Sequence, residues 1–253
     1  MRSGCAVGKP WNHDMKTVDV QIGSEPKHVT IVLPFYEAHE FLNTQLSQWT
    51  SYPLALRRHL SAIIVDDGSP VPAPVIIGGP FKIRQFRIEV DVPWNWLAAR
   101  NIGAHHAPDG WLLMTDMDHI LPVETAHALI YGQHDPSIVY AFSRREHTGE
   151  KVNPHSASFF MTREMFWRIG GYDERLSGVY GTDGAYRKRV QAKTWIRVLT
   201  DELVRHEYVA DSSVTRYERK TERMRELRRK RFASVPAGSP PKVLSFPYAE
   251  VTL

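Results

Sequence analysis

The feature that most constrains this chain is an apolar run, Trp111-Leu112-Leu113-Met114, that stops in two carboxylates one residue apart, Asp116 and Asp118. Preceded by the turn residues Pro108-Asp109-Gly110, the run reads as a short strand covered on both faces. Its acidic end then lies at the rim of a sheet, where open α/β folds bind their ligands. Two earlier runs have the same form. Residues 28–33 close in Pro34-Phe35-Tyr36-Glu37, and residues 60–65 close in Asp66-Asp67-Gly68-Ser69. In a parallel sheet these three ends converge on one edge.

The intervening segments supply the crossovers. Phe41, Leu42, Leu46 and Trp49 repeat at helical spacing, and residues 97–106 read as a second helix. With a further strand at 86–90, the first half becomes β-α-β-β-α-β, an α/β fold with a mostly parallel central sheet flanked by helices. In the second half, 138–142, 158–161, 196–199 and 203–208 are expected strands. Residues 163–169 form a helix stopped by Gly170-Gly171, and residues 182–191 form another. A charged helix is expected over 212–232. These elements divide the chain into an N-terminal arm (1–27), a catalytic domain (28–210), and a basic helix with a Pro/Ser-rich tail (211–253).

At 253 residues and 42% hydrophobic, the chain can build a core without disulfides or structural metal. Its single cysteine, Cys5, excludes an internal disulfide. No apolar stretch reaches the roughly 18 residues that span a bilayer, and no secretory h-region is visible. A cytoplasmic protein without a transmembrane segment is the expectation. The net charge of +4 is concentrated: residues 216–231 carry nine Arg or Lys against three Glu, which leaves the remainder near −2. Such a block is a solvated helix face, a peripheral contact with an anionic membrane, or a polynucleotide contact.

Six stretches, taken in order, resemble family-2-type inverting glycosyltransferases of the GT-A fold, the nucleotide-diphospho-sugar transferase superfamily. They are Val29-Thr30-Ile31-Val32-Leu33-Pro34-Phe35-Tyr36, Ile63-Ile64-Val65-Asp66-Asp67-Gly68-Ser69, Ala99-Arg100-Asn101-Ile102-Gly103, Asp116-Met117-Asp118, Gly170-Gly171-Tyr172-Asp173-Glu174 and Gly181-Thr182-Asp183. The resemblance implies a Rossmann-like sheet and transfer of a sugar from a nucleoside-diphosphate sugar, by family analogy a UDP-sugar, with Mn²⁺ or Mg²⁺ as cofactor. Pro34, Phe35, Tyr36 and Glu37 would shape the base pocket, and Asp66 and Asp67 would read base or ribose. Arg100 and Asn101 would open onto the nucleotide, and Asp116 would face ribose or metal. Asp118 would ligate the metal, with His206 as a further ligand and His119 as its rival.

Asp183 stands where the family places the general base. Thr182 replaces the family's usual acidic residue, and Ala185 stands where a second Asp is common. An Asp at a helix start also serves as a cap, and the helix N-terminus favours its ionised form. Trp94, Trp96, Asp173 and Glu174 are acceptor-side candidates, although tryptophans at this spacing also serve as packing. The family acceptor is a saccharide or lipid-linked saccharide. The basic segment raises a second acceptor, hydroxymethylated bases of DNA, which must be flipped out to be reached. A nucleotidyltransferase would need a Gly-rich loop after the first strand, and Pro34-Phe35-Tyr36-Glu37 is not one. A non-catalytic nucleic-acid-binding module using residues 213–231 is the other competitor.

Overall fold

A computed structural model describes residues 16–205 and 221–252. The strands are β1 (Thr17–Val18), β2 (Val29–Phe35), β3 (Leu60–Asp66), β4 (Lys82–Ile88), β5 (Trp111–Met114), β6 (His119–Ile120), β7 (Val139–Glu146), β8 (Lys151–Val152), β9 (Phe159–Thr162), β10 (Ile196–Arg205) and β11 (Tyr248–Glu250). The helices are α1 (His39–Ser51), α2 (Leu54–Arg57), α3 (Trp96–His106), α4 (Val123–Tyr131), α5 (Arg163–Ile169), α6 (Asp183–Lys193) and α7 (Glu222–Ala233).

All the strands belong to one mixed sheet, ordered β1-β10-β7-β9-β5-β2-β3-β4-β11, with β6 on β10 and β8 on β7. Pairing is parallel through β5-β2-β3-β4 and again through β7-β10-β1. Strand β9 runs against both β5 and β7. Residues on either side of the sheet form two cores. Val32, Ile63 and Val65 pack with α3, α5 and α6 on one face, while Ile31, Leu33, Ala62 and Ile64 pack with α1, α2 and α4 on the other. This double coverage explains why the β2, β3 and β5 sequences are continuously apolar.

Helix α3 approaches β2 at Gly103, where an added methyl group would overlap Val32 Cγ1. The glycine of the Ala-Arg-Asn-Ile-Gly stretch is thus a packing requirement that sets how closely α3, carrying Arg100 and Asn101, rides on the sheet.

Three readings of the second half change. The expected strands at 196–199 and 203–208 are joined, as far as Arg205, where the described residues stop, in one strand, β10 (Ile196–Arg205), with a register shift between Leu199 and Glu202. The segment between β6 and β7 contains α4, which the sequence reading did not assign. The Pro/Ser-rich tail supplies β11, antiparallel to β4, so residues 248–250 extend the central sheet. The basic helix is described from Glu222 only; the earlier part of the expected helix, and Cys5 and His206, lie outside the described residues.

Candidate active site

The C-terminal ends of β2, β3 and β5 lie on one edge, as parallel pairing requires. Strand β9 runs the other way, so its N-terminal end meets the end of β5, with Phe159 opposite Met114. The loop before β9 therefore delivers His155 and Ser156 to the edge that holds Asp116. Both residues were absent from the sequence reading.

Asp66 organises the β3 turn. Its Oδ1 accepts from the Gly68 and Ser69 amides at 3.1 and 2.7 Å, and its Oδ2 accepts from the Ala73 amide at 2.9 Å. Asp67 is different: it is buried, and its Oδ1 has no hydrogen-bond partner. Burial, then the Asp66 and Asp91 charges, push its carboxyl well above the usual range. A buried acceptor without a donor is costly, so Asp67 is the member of the pair with capacity left for a ligand. Tyr36 donates to Asp91 at 3.3 Å, and burial, with the nearby charges of Asp91 and Glu37, takes its phenol up to about 12. Glu37 adopts a left-handed φ of 47°, and its amide donates to Ser69 Oγ at 3.1 Å.

Arg100 and Asn101 do not open onto a pocket, contrary to expectation; both are fully buried. Arg100 reaches the site from behind. It donates to the Ala157 carbonyl, to Tyr172 at 3.1 Å and to Asp116 Oδ1 at 2.5 Å. Trp96 and Tyr172 flank its guanidinium at 4.8 and 5.6 Å. Asn101 is spent on the Tyr172 backbone and on Glu174.

The acceptor-side candidates are likewise engaged internally. Glu174 accepts from Asn101, from the Leu244 and Ser245 amides, and from Ser245 Oγ, all at 2.8 Å or less. Asp173 is paired with Arg175 at 2.7 Å. Trp96 packs edge-on against Tyr172. Trp94 alone keeps an open role: it is half-buried, has a φ of 51°, and lies 6.0 Å from the Tyr180 ring.

Beyond Asp116 lie two imidazoles. His155 Nε2 is 3.5 Å from Asp116 Oδ2, and the His155 and His119 rings lie 4.6 Å apart, tilted by 32°. One ligand atom from each of Asp116, His119 and His155 falls within 4.8 Å of the others. Burial holds His155 down at about 4, against the pull of Asp116 and with help from His119, so it is neutral at pH 7 and has a lone pair to offer. His119 Nδ1 meets Asp118 Oδ1 at 2.6 Å, and its Nε2 takes an N–H from Arg144 at 3.2 Å. Since arginine only donates, Nε2 is the unprotonated nitrogen and Nδ1 carries the proton. An imidazole whose N–H rests on a carboxylate is how metal-binding histidines are normally oriented.

The set of one carboxylate and two imidazoles suits a divalent transition metal, Mn²⁺ better than Mg²⁺, once Arg144 gives up the His119 Nε2 lone pair that it occupies. The expected set was Asp116, Asp118 and His206. Within the described residues the cluster keeps Asp116, replaces Asp118 with His119, and adds His155. Asp118 touches this cluster at His119. Burial pushes the Asp118 carboxyl up, but His119, His155 and Arg205 outweigh that and bring it down to about 2.

Asp183 is the first residue of α6, and Thr182 occupies the cap position. Its Oδ2 accepts from Ser156 Oγ at 3.0 Å. It makes no ion pair among the described residues. Burial raises its carboxyl; the Ser156 hydrogen bond opposes this, the Asp116 charge adds to it, and Arg100 opposes it. The helix terminus alone suggested no such rise. A carboxylate tuned toward neutrality is better matched to proton abstraction.

The fold is that of the GT-A glycosyltransferases, a mixed α/β sheet flanked by helices. The chain is similar to a structure of S. aureus TarS 1–349 in complex with UDP-GlcNAc (13% identity, TM-score 0.56, covering 72% of this chain and 59% of that one). It is also similar to mannosyltransferase PcManGT from Pyrobaculum calidifontis with GDP-Man and Mn²⁺ (18%, 0.58, covering 92% and 70%). A third likeness is to GalNAc-T7 with UDP, GalNAc and Mn²⁺ (16%, 0.54, covering 72% and 43%). The chain thus spans about three fifths of the TarS chain. No family model and no curated protein matches it. Among the described residues, no helix is long and apolar enough to cross a membrane.

Proposed function

We propose that this chain is a metal-dependent inverting glycosyltransferase that uses a nucleoside-diphosphate sugar. The observation that carries the reading is Asp183: enclosed, held by Ser156, raised by burial and by the Asp116 charge, and not consumed by an ion pair among the described residues. In a single displacement, Asp183 takes the proton of the acceptor hydroxyl. The acceptor oxygen bonds to the anomeric carbon as the bond from that carbon to the diphosphate breaks, and the nucleoside diphosphate leaves with the electron pair.

Asp67 Oδ1 is the acceptor available for a base or ribose donor, with Tyr36 beside it. Asp116, His119 and His155 would hold the cation, which when bound offsets the charge gathering on the departing diphosphate. Arg100 fixes the Asp116 carboxylate from the protein side. The solved neighbours hold UDP-GlcNAc, GDP-Man with Mn²⁺, and UDP with GalNAc and Mn²⁺; these ligands support the reading of a nucleotide-sugar donor.

The test is a hydrolysis and binding screen of UDP- and GDP-sugars with Mn²⁺ or Mg²⁺, followed by transfer assays in which the product anomer is read by NMR. Asp183→Asn is expected to keep donor affinity and lose about 10²–10⁴-fold in transfer. Retention of configuration, or full transfer by that variant, removes Asp183 from the role.

A further inference from the structure

Helix α7 docks against the segment that leads into Asp183. Met224 is buried, and its sulfur accepts from the Tyr180 amide at 3.4 Å. Arg231 Nη1 donates to the Arg175 carbonyl at 3.4 Å. Arg228 lies over Gly181, where an added methyl group would overlap its Nη1. Gly181 has a φ of 83° and stands two residues before Asp183. The same lip carries two aromatic rings, Trp94 and Tyr180, the latter 38% exposed.

The charge on α7 is in excess. Six Arg or Lys face two Glu. Both Glu are consumed, Glu222 by Arg225 at 3.1 Å and Glu226 by Lys230 at 2.8 Å. Arg228 makes no hydrogen bond or ion pair among the described residues. At about 100° per residue, Glu222 and Glu226 lie opposite the buried Met224, while Arg228 and Arg231 flank it on the site side. Only Arg228 and Arg231 lie on the margin toward Gly181; Arg223, Arg225, Arg229 and Lys230 share the outer half of the helix with the two Glu. The exposed Leu227 and Phe232 stand about 140° apart around the helix, so the helix has no apolar stripe with which to enter a bilayer. The twelve residues of α7 give a ridge about 18 Å long, enough for several successive phosphates.

We propose that the acceptor is a nucleic-acid strand bearing a hydroxylated base, its backbone running along α7, one phosphate on Arg228, and the base received at the Trp94–Tyr180 lip beside Asp183. A cationic track with aromatic platforms is the arrangement that holds single strands and extruded bases. The guanidinium fork suits phosphate better than an ammonium does. This rests on the glycosyltransferase reading of Asp183. The step is the displacement given above, with the base hydroxyl as attacking group and its proton passing to Asp183.

Two measurements on the full chain test it. The first is anisotropy of a labelled oligonucleotide containing hydroxymethylcytosine, titrated at several salt concentrations. Wild type is expected to bind with a steep salt dependence, and Arg228→Gln to lower the slope of log K against log salt by about one, with unchanged circular dichroism. The second compares transfer to that oligonucleotide with transfer to a neutral oligosaccharide and to a polyol phosphate oligomer. The oligonucleotide is expected to be at least tenfold preferred in kcat/KM, and Arg228→Gln to raise KM while leaving kcat in place. Equal or better use of either other acceptor overturns the proposal, as does an Arg228→Gln variant that leaves both slope and KM unmoved. So does tighter binding to phosphatidylglycerol vesicles than to the oligonucleotide. If wild type binds no nucleotide sugar, the donor reading has failed; if it binds donor but not oligonucleotide, only the acceptor proposal has.

Discussion

Arg100 Nη2 lies 2.5 Å from Asp116 Oδ1, with the guanidinium wholly buried and the carboxylate side chain 33% exposed. The pair joins the core beneath α3 to the candidate metal cluster of Asp116, His119 and His155. Removing one member of a buried pair costs about 3–5 kcal/mol, and the lower end applies here because Asp116 is partly solvated. Arg100→Met is therefore expected to lose about 3 kcal/mol in urea unfolding and to weaken Mn²⁺ binding in the same preparation. Arg100→Lys is expected to recover little, since one ammonium cannot reproduce the fork that serves Asp116, Ala157 and Tyr172.

Ser156 donates to Asp183 and so holds its carboxyl lower than burial alone would leave it. A general base must be ionised, so transfer rises with pH through the pKa of Asp183. Ser156→Ala is expected to move that acidic limb of kcat/KM to higher pH, with a smaller loss on the alkaline plateau. An unshifted limb with a uniform loss would mean that Ser156 only shapes the loop.

If Asp118 acts by orienting His119, Asp118→Asn is expected to weaken Mn²⁺ affinity by roughly 10–100-fold, read by titration calorimetry. His155→Ala removes a ligand outright and is expected to cost more. A reversed order, with Asp118→Asn the more damaging, would restore the carboxylate as a direct ligand.

His134 is buried, its Nε2 has no partner, and burial, then the charge of Lys27, bring it down to about 4 from the usual 6.5, against the bond to the Gly132 carbonyl. Above pH 6.5 the residue is neutral in both folded and unfolded chains. As pH falls from 6.5 toward 4 only the unfolded chain takes the proton, so stability declines through that window, by on the order of 3 kcal/mol from this residue. His134→Phe is expected to flatten the decline in a series of Tm measurements. An unaltered slope would assign the acid sensitivity elsewhere.

The strand ends were legible because a strand buried on both faces must be continuously apolar, so its limits coincide with the first charged residues; Asp66 and Asp116 stand at or just beyond β3 and β5 for that reason. Asp183 was legible because a helix start and a family motif coincide there. His155 was not, since nothing in its distance along the chain from Asp116 foretells that β9 runs antiparallel to β5. The available sign was its position just ahead of an expected strand. Arg100 and Asn101 were assigned to the right region with the wrong surroundings, because sequence does not distinguish an arginine that lines a cleft from one that braces it. Helix α4 follows Pro122 and is short, and β11 lies in a Pro/Ser-rich segment whose pairing depends on β4 rather than on its own composition.

The Glu174 carboxylate is buried, and three of its four hydrogen-bond donors come from Leu244 and Ser245, some seventy residues later. During synthesis, then, Glu174 can exchange water for its full set of donors only after residues 244–245 have been made. Until the segment through β11 has emerged from the ribosome, the nascent sheet also has an open margin along β4, an unpaired edge on which another chain can pair.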